Sequence, residues 1–425
     1  MSFQHFAVIK KHYKALTTSA LGIGIFIVCA IPLRPLLNWH EEQHLFRWSR
    51  AYFIEQLSAK DGIWEYIVSF FTQFFHIGWL GALIMALSAI GVQWLTWKLL
   101  KFCIRQHPIA YLLSLLPPIL LFIFGFIPSS YRKDAKFREA VTYDYLVREQ
   151  AWDKIIHHAE KHAPTELHSF WCLNYALAMR GELTERLFHF PQPSPDGLLQ
   201  DGHHVESLPL FALSDIFFEL GFINDAERIA FDAKQLLPDN HKSGRAYQRL
   251  AECNLINGDT LIAKKYEHFL QSTLFYNSLD KDYAKYQQKR LVTDSLITPA
   301  LPHKLHALLN DNPQNHLAED YLLAYHLLRM DYQSVLDTEL EIQRRTPRIA
   351  PRPVEECVIG NWVYTHPNDS FPITLRQDVF NTTMEYLNIV NQTGNPLAPT
   401  LFEPPYSQSY WHYHALSQEK IRQKP

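Results

Sequence analysis

Three stretches without a charged residue fall within the first 130 positions, and nothing else in the chain limits its fold as much. They are residues 15–33 (ALTTSALGIGIFIVCAIPL), 77–97 (IGWLGALIMALSAIGVQWLTW) and 109–127 (IAYLLSLLPPILLFIFGFI). Each approaches the ~20 residues that cross a bilayer core as a helix. Three such runs so close together are read as transmembrane helices rather than as buried core helices. Pro117 and Pro118 put a kink in the third, which membrane helices tolerate. The first run follows Lys10, Lys11 and Lys14, as a secretion signal does, but no small-x-small cleavage pattern comes after it. An uncleaved anchor is expected.

Basic residues set the orientation. Lys10, Lys11 and Lys14 before the first run, and Lys98, Lys101 and Arg105 between the second and third, place both of those segments on the cytoplasmic side. Three spans then carry everything after residue 128 to the outside. Arg132, Lys133, Lys136 and Arg138 directly follow the third run and pull the other way. The expected location is a bacterial inner (cytoplasmic) membrane, crossed several times, with a periplasmic C-terminal domain and membrane lipid as one partner. A net charge of -3 argues against a nucleic-acid partner. Between the first two runs, Leu45, Phe46, Trp48, Tyr52, Phe53 and Leu57 alternate with Arg47, Arg50, Glu55 and Gln56. That pattern predicts an amphipathic helix over about 44–58, lying at the interface.

Past residue 130 the composition turns soluble and helical. Gly221 is followed five residues later by Ala226, and the same spacing returns at Gly258 and Ala263, 37 residues on. Each Gly closes one apolar-periodic segment and each Ala lies in the next, which reads as helix, tight turn, helix. Helix pairs are expected at 137–162, 168–190, 207–237, 243–274 and 316–345. Laid on the tetratricopeptide (TPR) pattern of about 34 residues, Ala226, Ala230 and Ala233 fall on the closely packed face of a second helix, with Pro238 at its end. Leu213, Ser214 and Phe217 fall on the first helix. Such pairs cannot bury their own apolar faces, so neighbours stack. Further helices are expected at 282–292, 302–310, 353–364 and 375–391. The tail from 392, rich in proline and aromatics, should fold back onto the helices. The fold class is therefore all-α: a membrane domain over 1–130, a TPR-like α-solenoid of stacked hairpins over 131–345, and C-terminal helices with a tail over 346–425.

The sharpest chemical motif is His40-Glu41-Glu42-Gln43-His44. On a helix it would set His40 and His44 on one face for zinc, with Glu41 as general base. A third ligand is needed, and only Glu55 and Glu65 stand near. A solvated loop beside an interfacial helix is the plainer reading. His158 and His162 lie four apart beside His157, with Glu160 and Lys161 marking a solvated face. His203, His204, His412 and His414 are read as incidental, and the cysteines as buried thiols rather than a disulfide framework. No phosphate-binding glycine loop and no nucleophile elbow occurs. No cofactor, metal or catalytic residue is therefore expected. Stacked hairpins usually bind a protein or peptide on their concave face, and Asn174, Phe217, Tyr247 and Asn254 are the candidate contacts.

Two regions also resemble a family. One runs from Glu42-Gln43-His44-Leu45-Phe46 through Asp61-Gly62-Ile63-Trp64-Glu65-Tyr66 to Phe71-Thr72-Gln73-Phe74-Phe75. The other runs from Tyr143 past Gln150-Ala151-Trp152-Asp153-Lys154-Ile155 to Leu187-Phe188-His189-Phe190-Pro191-Gln192, then on through Leu220-Gly221 and Ala263-Lys264-Lys265-Tyr266. The tail Ser409-Tyr410-Trp411-His412-Tyr413 belongs with them. Together they are similar to an uncharacterised family of bacterial integral membrane proteins with a TPR-like C-terminal half. That resemblance implies no activity, and the family usually has more spans than three. The loop after the first run also resembles the opening of lipid-linked-sugar glycosyltransferases, in which Glu41 or Glu42 would be the acidic residue. The leading expectation is a membrane-anchored scaffold or adaptor without catalysis. The alternative is a membrane enzyme, either a zinc metalloprotease or a degenerate glycosyltransferase relative.

Overall fold

The computed structural model describes residues 3–59, 62–103, 108–200, 207–237, 242–277, 290 and 300–422. The expected helix at 282–292, Pro238, His203, His204, Asp61 and Arg105 lie outside them. Among the described residues the fold is all-helical, 77% helix with no strand. The first helices are α1 Phe3–Ala30, α2 Arg34–Gln43, α3 Arg50–Leu57, α4 Gly62–Thr72 and α5 Gly78–Cys103. Short helices α6 Pro108–Leu113, α7 Leu116–Leu120 and α8 Ser129–Lys133 follow. Then come α9 Ala135–Arg148, α10 Trp152–Lys161, α11 Leu167–Met179, α12 Leu183–Arg186, α13 Ser207–Leu220, α14 Ile223–Gln235, α15 Gly244–Asn257 and α16 Thr260–Gln271. The last are α17 Leu301–Asp311, α18 His316–Arg329, α19 Tyr332–Arg345, α20 Arg352–Thr365, α21 Gln377–Thr393 and α22 Tyr410–Arg422.

The chain forms two compact units. The first gathers Met1–Tyr145, Ala233–Glu252 and Thr260–Lys281. The second gathers Leu146–Asp232, Cys253–Asp259 and Asp282–Pro425. Residues 131–345, expected as one repeat domain, thus contribute to both.

In the first unit, three segments are long and apolar enough to cross a membrane: His12–Ala30, Gly78–Phe102 and Ile109–Phe126. Helices α1 and α5 pack along small residues. Ala82, Ala86 and Ala89 are buried, and a Cβ on Gly22 would meet the Ile90 side chain. Small side chains let apolar helices approach closely where water supplies no driving force. A polar chain joins the three segments: Thr18 donates to Gln93 (3.2 Å), Gln93 to Ser114 (3.0 Å) and Ser114 to the Tyr111 carbonyl (2.6 Å). The Tyr111 hydroxyl closes it on Thr18 and the Lys14 carbonyl. The third run is not one straight helix. Pro117 and Pro118 lack the N–H groups that would bond back into the preceding turn. The run therefore breaks at Ser114–Leu115 and ends in a π-helical turn, Leu121–Phe126.

The helix expected over about 44–58 is shorter than that. It starts only at Arg50, where the Ser49 hydroxyl accepts from the Tyr52 N–H (3.2 Å) as an N-cap. Residues 44–48 are not helical, and the Trp48 N–H donates to the Ser272 carbonyl (2.6 Å). Leu45 and Phe46 are consequently buried instead of facing an interface.

The paired helices stand where the spacing places them. A residue with positive φ sits at each turn: Gly181 between α11 and α12, Gly221 between α13 and α14, and Met330 between α18 and α19. Gly258 does the same between α15 and α16, as does Gln150 between α9 and α10. At Gly221 (φ 107°) and Gly258 (φ 90°) an L side chain would be strained, which is why the repeat puts Gly there. Ala226, Ala230, Ala233, Ala251 and Ala263 are all buried. In the second unit, Asn315 joins two pairs, capping α18 through the Ala318 N–H (3.2 Å) and donating to the Leu220 carbonyl that ends α13 (2.8 Å). A linear stack joins neighbours only, but here α12 packs on α18 and α20. Glu185 accepts from the Arg352 N–H (2.8 Å) and Thr184 from α12 meets Asp320 (3.3 Å). The tail folds back: the Tyr410 N–H donates to the buried Glu356 carboxylate (2.8 Å), and the Trp411 indole donates to the Glu356 carbonyl (2.8 Å).

Candidate functional site

A buried polar cluster of the first unit is built around α2, the helix that follows the end of α1. Leu36 and Leu37 bury one side of α2 and bring Glu41 and Glu42 inward, where they are 3% and 1% exposed. Arg245 meets Glu42 at 2.9 Å and both oxygens of Asp144 on α9 at 3.0 Å. One guanidinium thus serves two buried carboxylates. The Tyr276 hydroxyl donates to Glu41, 2.9 and 3.0 Å from its two oxygens. His76 Nδ1 stands 3.8 Å from the same carboxylate, and its ring stacks on Phe275 at 4.8 Å. Arg34 fastens the other side, donating to the Phe75 and His76 carbonyls at 2.6 and 3.0 Å and lying over the Tyr145 ring. Two glycines make room. A Cβ on Gly78 would strike Arg34, and one on Gly244 would strike the Tyr276 ring.

His40 has a separate task. Its Nε2 lies 2.9 Å from the Phe126 carbonyl, the last of the π-helical turn. A carbonyl only accepts, so Nε2 carries the proton and His40 caps a helix end whose carbonyl has no partner within the helix. The ring packs between Trp39 and Phe126. Burial pushes its pKa down to about 4, against which the bond to Phe126 works.

The motif His40 to His44 is therefore divided among structural ties. His44 lies beyond the last turn of α2, on extended backbone, with Nδ1 4.0 Å from Glu65. His40 and His44 do not share a helix face, and Nε2 of His40 is already committed to a carbonyl. Glu55, the other acidic neighbour, pairs with Arg47 (2.5 Å) and Lys242 (2.9 Å). No group of three His, Cys, Asp or Glu among the described residues is arranged to hold a metal ion. His158 and His162 have ring centroids 5.5 Å apart, and His157 leans on Glu160 (3.4 Å). Cys29, Cys172, Cys253 and Cys357 are buried free thiols.

The four candidate partner contacts are inside the protein. Asn174 exchanges hydrogen bonds with the Gln192 amide and donates to the Gly197 carbonyl (2.9 Å). Phe217 packs on Phe222, Tyr247 stacks on Phe269 at 4.5 Å, and Asn254 donates to Glu227 (2.7 Å). All four are buried. The sequence pattern assigns polar and aromatic residues of inner helices to a groove; here their side chains are engaged with other residues of the chain. Sequence reasoning missed Arg34, His76, Asp144, Arg245 and Tyr276. The ion pairs of Arg245 join residues 203 and 101 positions apart, so no local pattern marks them. Only Arg34, a lone charge two residues past an apolar run's Pro32, stands out locally.

Fold and site together define, among the described residues, an all-helical protein with three apolar segments long enough to cross a membrane, in which buried ion pairs join α2 and α9 to Arg245 of α15. The chain belongs to DUF6057, a family of unknown function, which matches it over residues 10–127 and 124–417. No curated protein and no solved structure matches it.

Proposed function

We propose that the protein is a membrane-anchored scaffold, with TPR-like helical hairpins that bind a protein partner close to the lipid surface. In this reading the three apolar helices cross a bacterial inner membrane and the hairpins stand on its periplasmic side. One observation carries the proposal. Arg245, with Glu42 and Asp144, commits buried charge to fixing the hairpin α15–α16 onto α2 and α9. Glu41 adds a second tie through Tyr276. Groups of a kind suited to acid–base chemistry are thus consumed in holding helices at a set place. Holding position is what a scaffold needs.

Leu261, on α16, is 83% exposed and gives a place to test this. A photo-crosslinking amino acid replacing Leu261 in the full-length protein, activated in native membranes, should yield one discrete and reproducible protein adduct. Adducts to lipid alone would overturn the proposal. Labelling of a cysteine at 261 by a membrane-impermeant thiol reagent in cells with an opened outer membrane should succeed without lysis. Labelling only after lysis would reverse the sidedness.

A further inference from the structure

We propose that the hairpin α3–α4 is seated in one leaflet of the membrane and that a trough on its outer face holds an acyl chain of a membrane phospholipid. The hairpin has two unlike sides. Inside, Tyr52 and Tyr66 pack on Phe46, with ring centroids 5.5 and 5.0 Å away, and Phe70 closes the cluster at 5.4 Å. Outside, Phe53, Ile54 and Leu57 of α3 are exposed, as are Ile63, Trp64, Ile67 and Phe71 of α4. Trp64 is 66% exposed. Both sets follow helical spacing: α4 turns an apolar face outward, and the apolar face of α3 carries one charge, the exposed Arg50, at its first residue. In water, a contiguous apolar surface of this kind is rare unless something covers it.

Continuity names the cover. Helix α4 passes through a single 3-10 turn, Gln73–His76, into α5, and it packs on α2, which follows α1. This inference rests on the reading that the apolar helices cross a bilayer; the exposed face then lies at their end, next to the lipid that surrounds them. The 11 residues of α4 extend about 16 Å at 1.5 Å each. That is about half of a ~30 Å hydrocarbon core, too short to cross and long enough for one leaflet. Trp48, whose indole donates to Gln73 (3.2 Å), suits the headgroup level. The trough has a volume of about 390 Å³ and is lined by Leu57, Ala59, Gly62, Ile63, Trp64 and Ile67. A Cβ on Gly62 would collide with the Gln56 carbonyl, so only glycine lets the helices close at this point. Among the described residues that line it there is no charged side chain, as a hydrocarbon chain requires.

Depth measurement by nitroxide labels tests the seat. Ile63→Cys and Ile67→Cys, each in a Cys103→Ser background of the full chain in phosphatidylcholine nanodiscs, should collide several-fold more with oxygen than with a nickel chelate. Glu341→Cys, at an exposed site on α19, should show the opposite. Nickel accessibility at 63 and 67 equal to that at 341 means water, and overturns the proposal. Low accessibility to both reagents means a protein cover, such as a second copy, and overturns it too. Phosphatidylcholine with a diazirine in mid-chain should label the peptide containing residues 62–67. Labels confined to 78–102 and 109–126 would empty the trough.

Discussion

Arg245 is the cation on which two carboxylates depend, and each carboxylate is nearly out of water. Removing one partner of such a group leaves a buried charge uncompensated, at a cost of about 3–5 kcal/mol. Arg245→Gln should therefore lower the thermal unfolding temperature of the detergent-solubilised protein sharply. Adding Glu42→Gln and Asp144→Asn to that variant should recover much of the loss, because neutral amides need no cation. If the triple variant is no more stable than Arg245→Gln alone, charge is not what the cluster balances. His40 makes a second residue-scale prediction. Its folded pKa of about 4 lies below the ordinary 6.5, so the unfolded chain takes up a proton that the folded chain refuses. Stability is then fully present above pH 6.5 and is lost as pH falls toward 4. His40→Gln keeps a donor for the Phe126 carbonyl without titrating. Its acid limb of stability against pH should be flatter than that of the wild type in this window, and an unchanged limb would show that His40 is not its source.

The helical pairs repeat one device with two exceptions. Three of the turns use glycine for a left-handed backbone, but Gln150 and Met330 do so with a side chain, at φ 50° and 60°. A non-glycine residue in that region carries strain of roughly 1 kcal/mol. Part of this is offset by the greater freedom that glycine adds to the unfolded chain. Met330→Gly should stabilise the protein by about 0.5–1 kcal/mol in denaturant titration, and a clear loss would show that the Met330 side chain contributes packing that outweighs the strain. The same turns explain what could be read ahead of the structure. Gly221, Gly258 and the alanines that follow act within a few residues of themselves, so spacing alone revealed the hairpins. The proline break in the third apolar run was legible for the same reason. The start of α3 was not. The tie between Trp48 and Ser272 that keeps 44–48 out of helix spans more than 220 positions. Nor was the burial of Asn174 and Asn254, whose amides looked like groove contacts. Their partners, Gln192 and Glu227, lie on segments whose approach no local pattern foretells.

At the scale of the whole molecule, the chain does not divide where its composition does. Composition changes at about residue 130, and a water-soluble fragment would naturally be cut there. The first compact unit instead takes Ala233–Glu252 and Thr260–Lys281 from far beyond that point. Several of the groups those segments rest on lie before residue 130: Glu42 for Arg245, Glu41 for Tyr276, Leu45 for the cluster of Tyr247, Leu270 and Tyr276, and His76 for the stack on Phe275. A fragment of residues 131–425 would take Glu42 away from Arg245 while keeping Asp144, and would expose the aromatic cluster. The second unit keeps its own ties, among them Glu356 with Arg352 at 2.9 Å and Glu355 with Arg376 at 2.7 Å. Hydrogen exchange should therefore find the backbone amides of 244–271 poorly protected in the fragment, while those of 316–365 stay close to their full-length protection. Equal protection of 244–271 in fragment and full chain would mean that the hairpin stands without the membrane segment, and that the buried charges around α2 fix nothing.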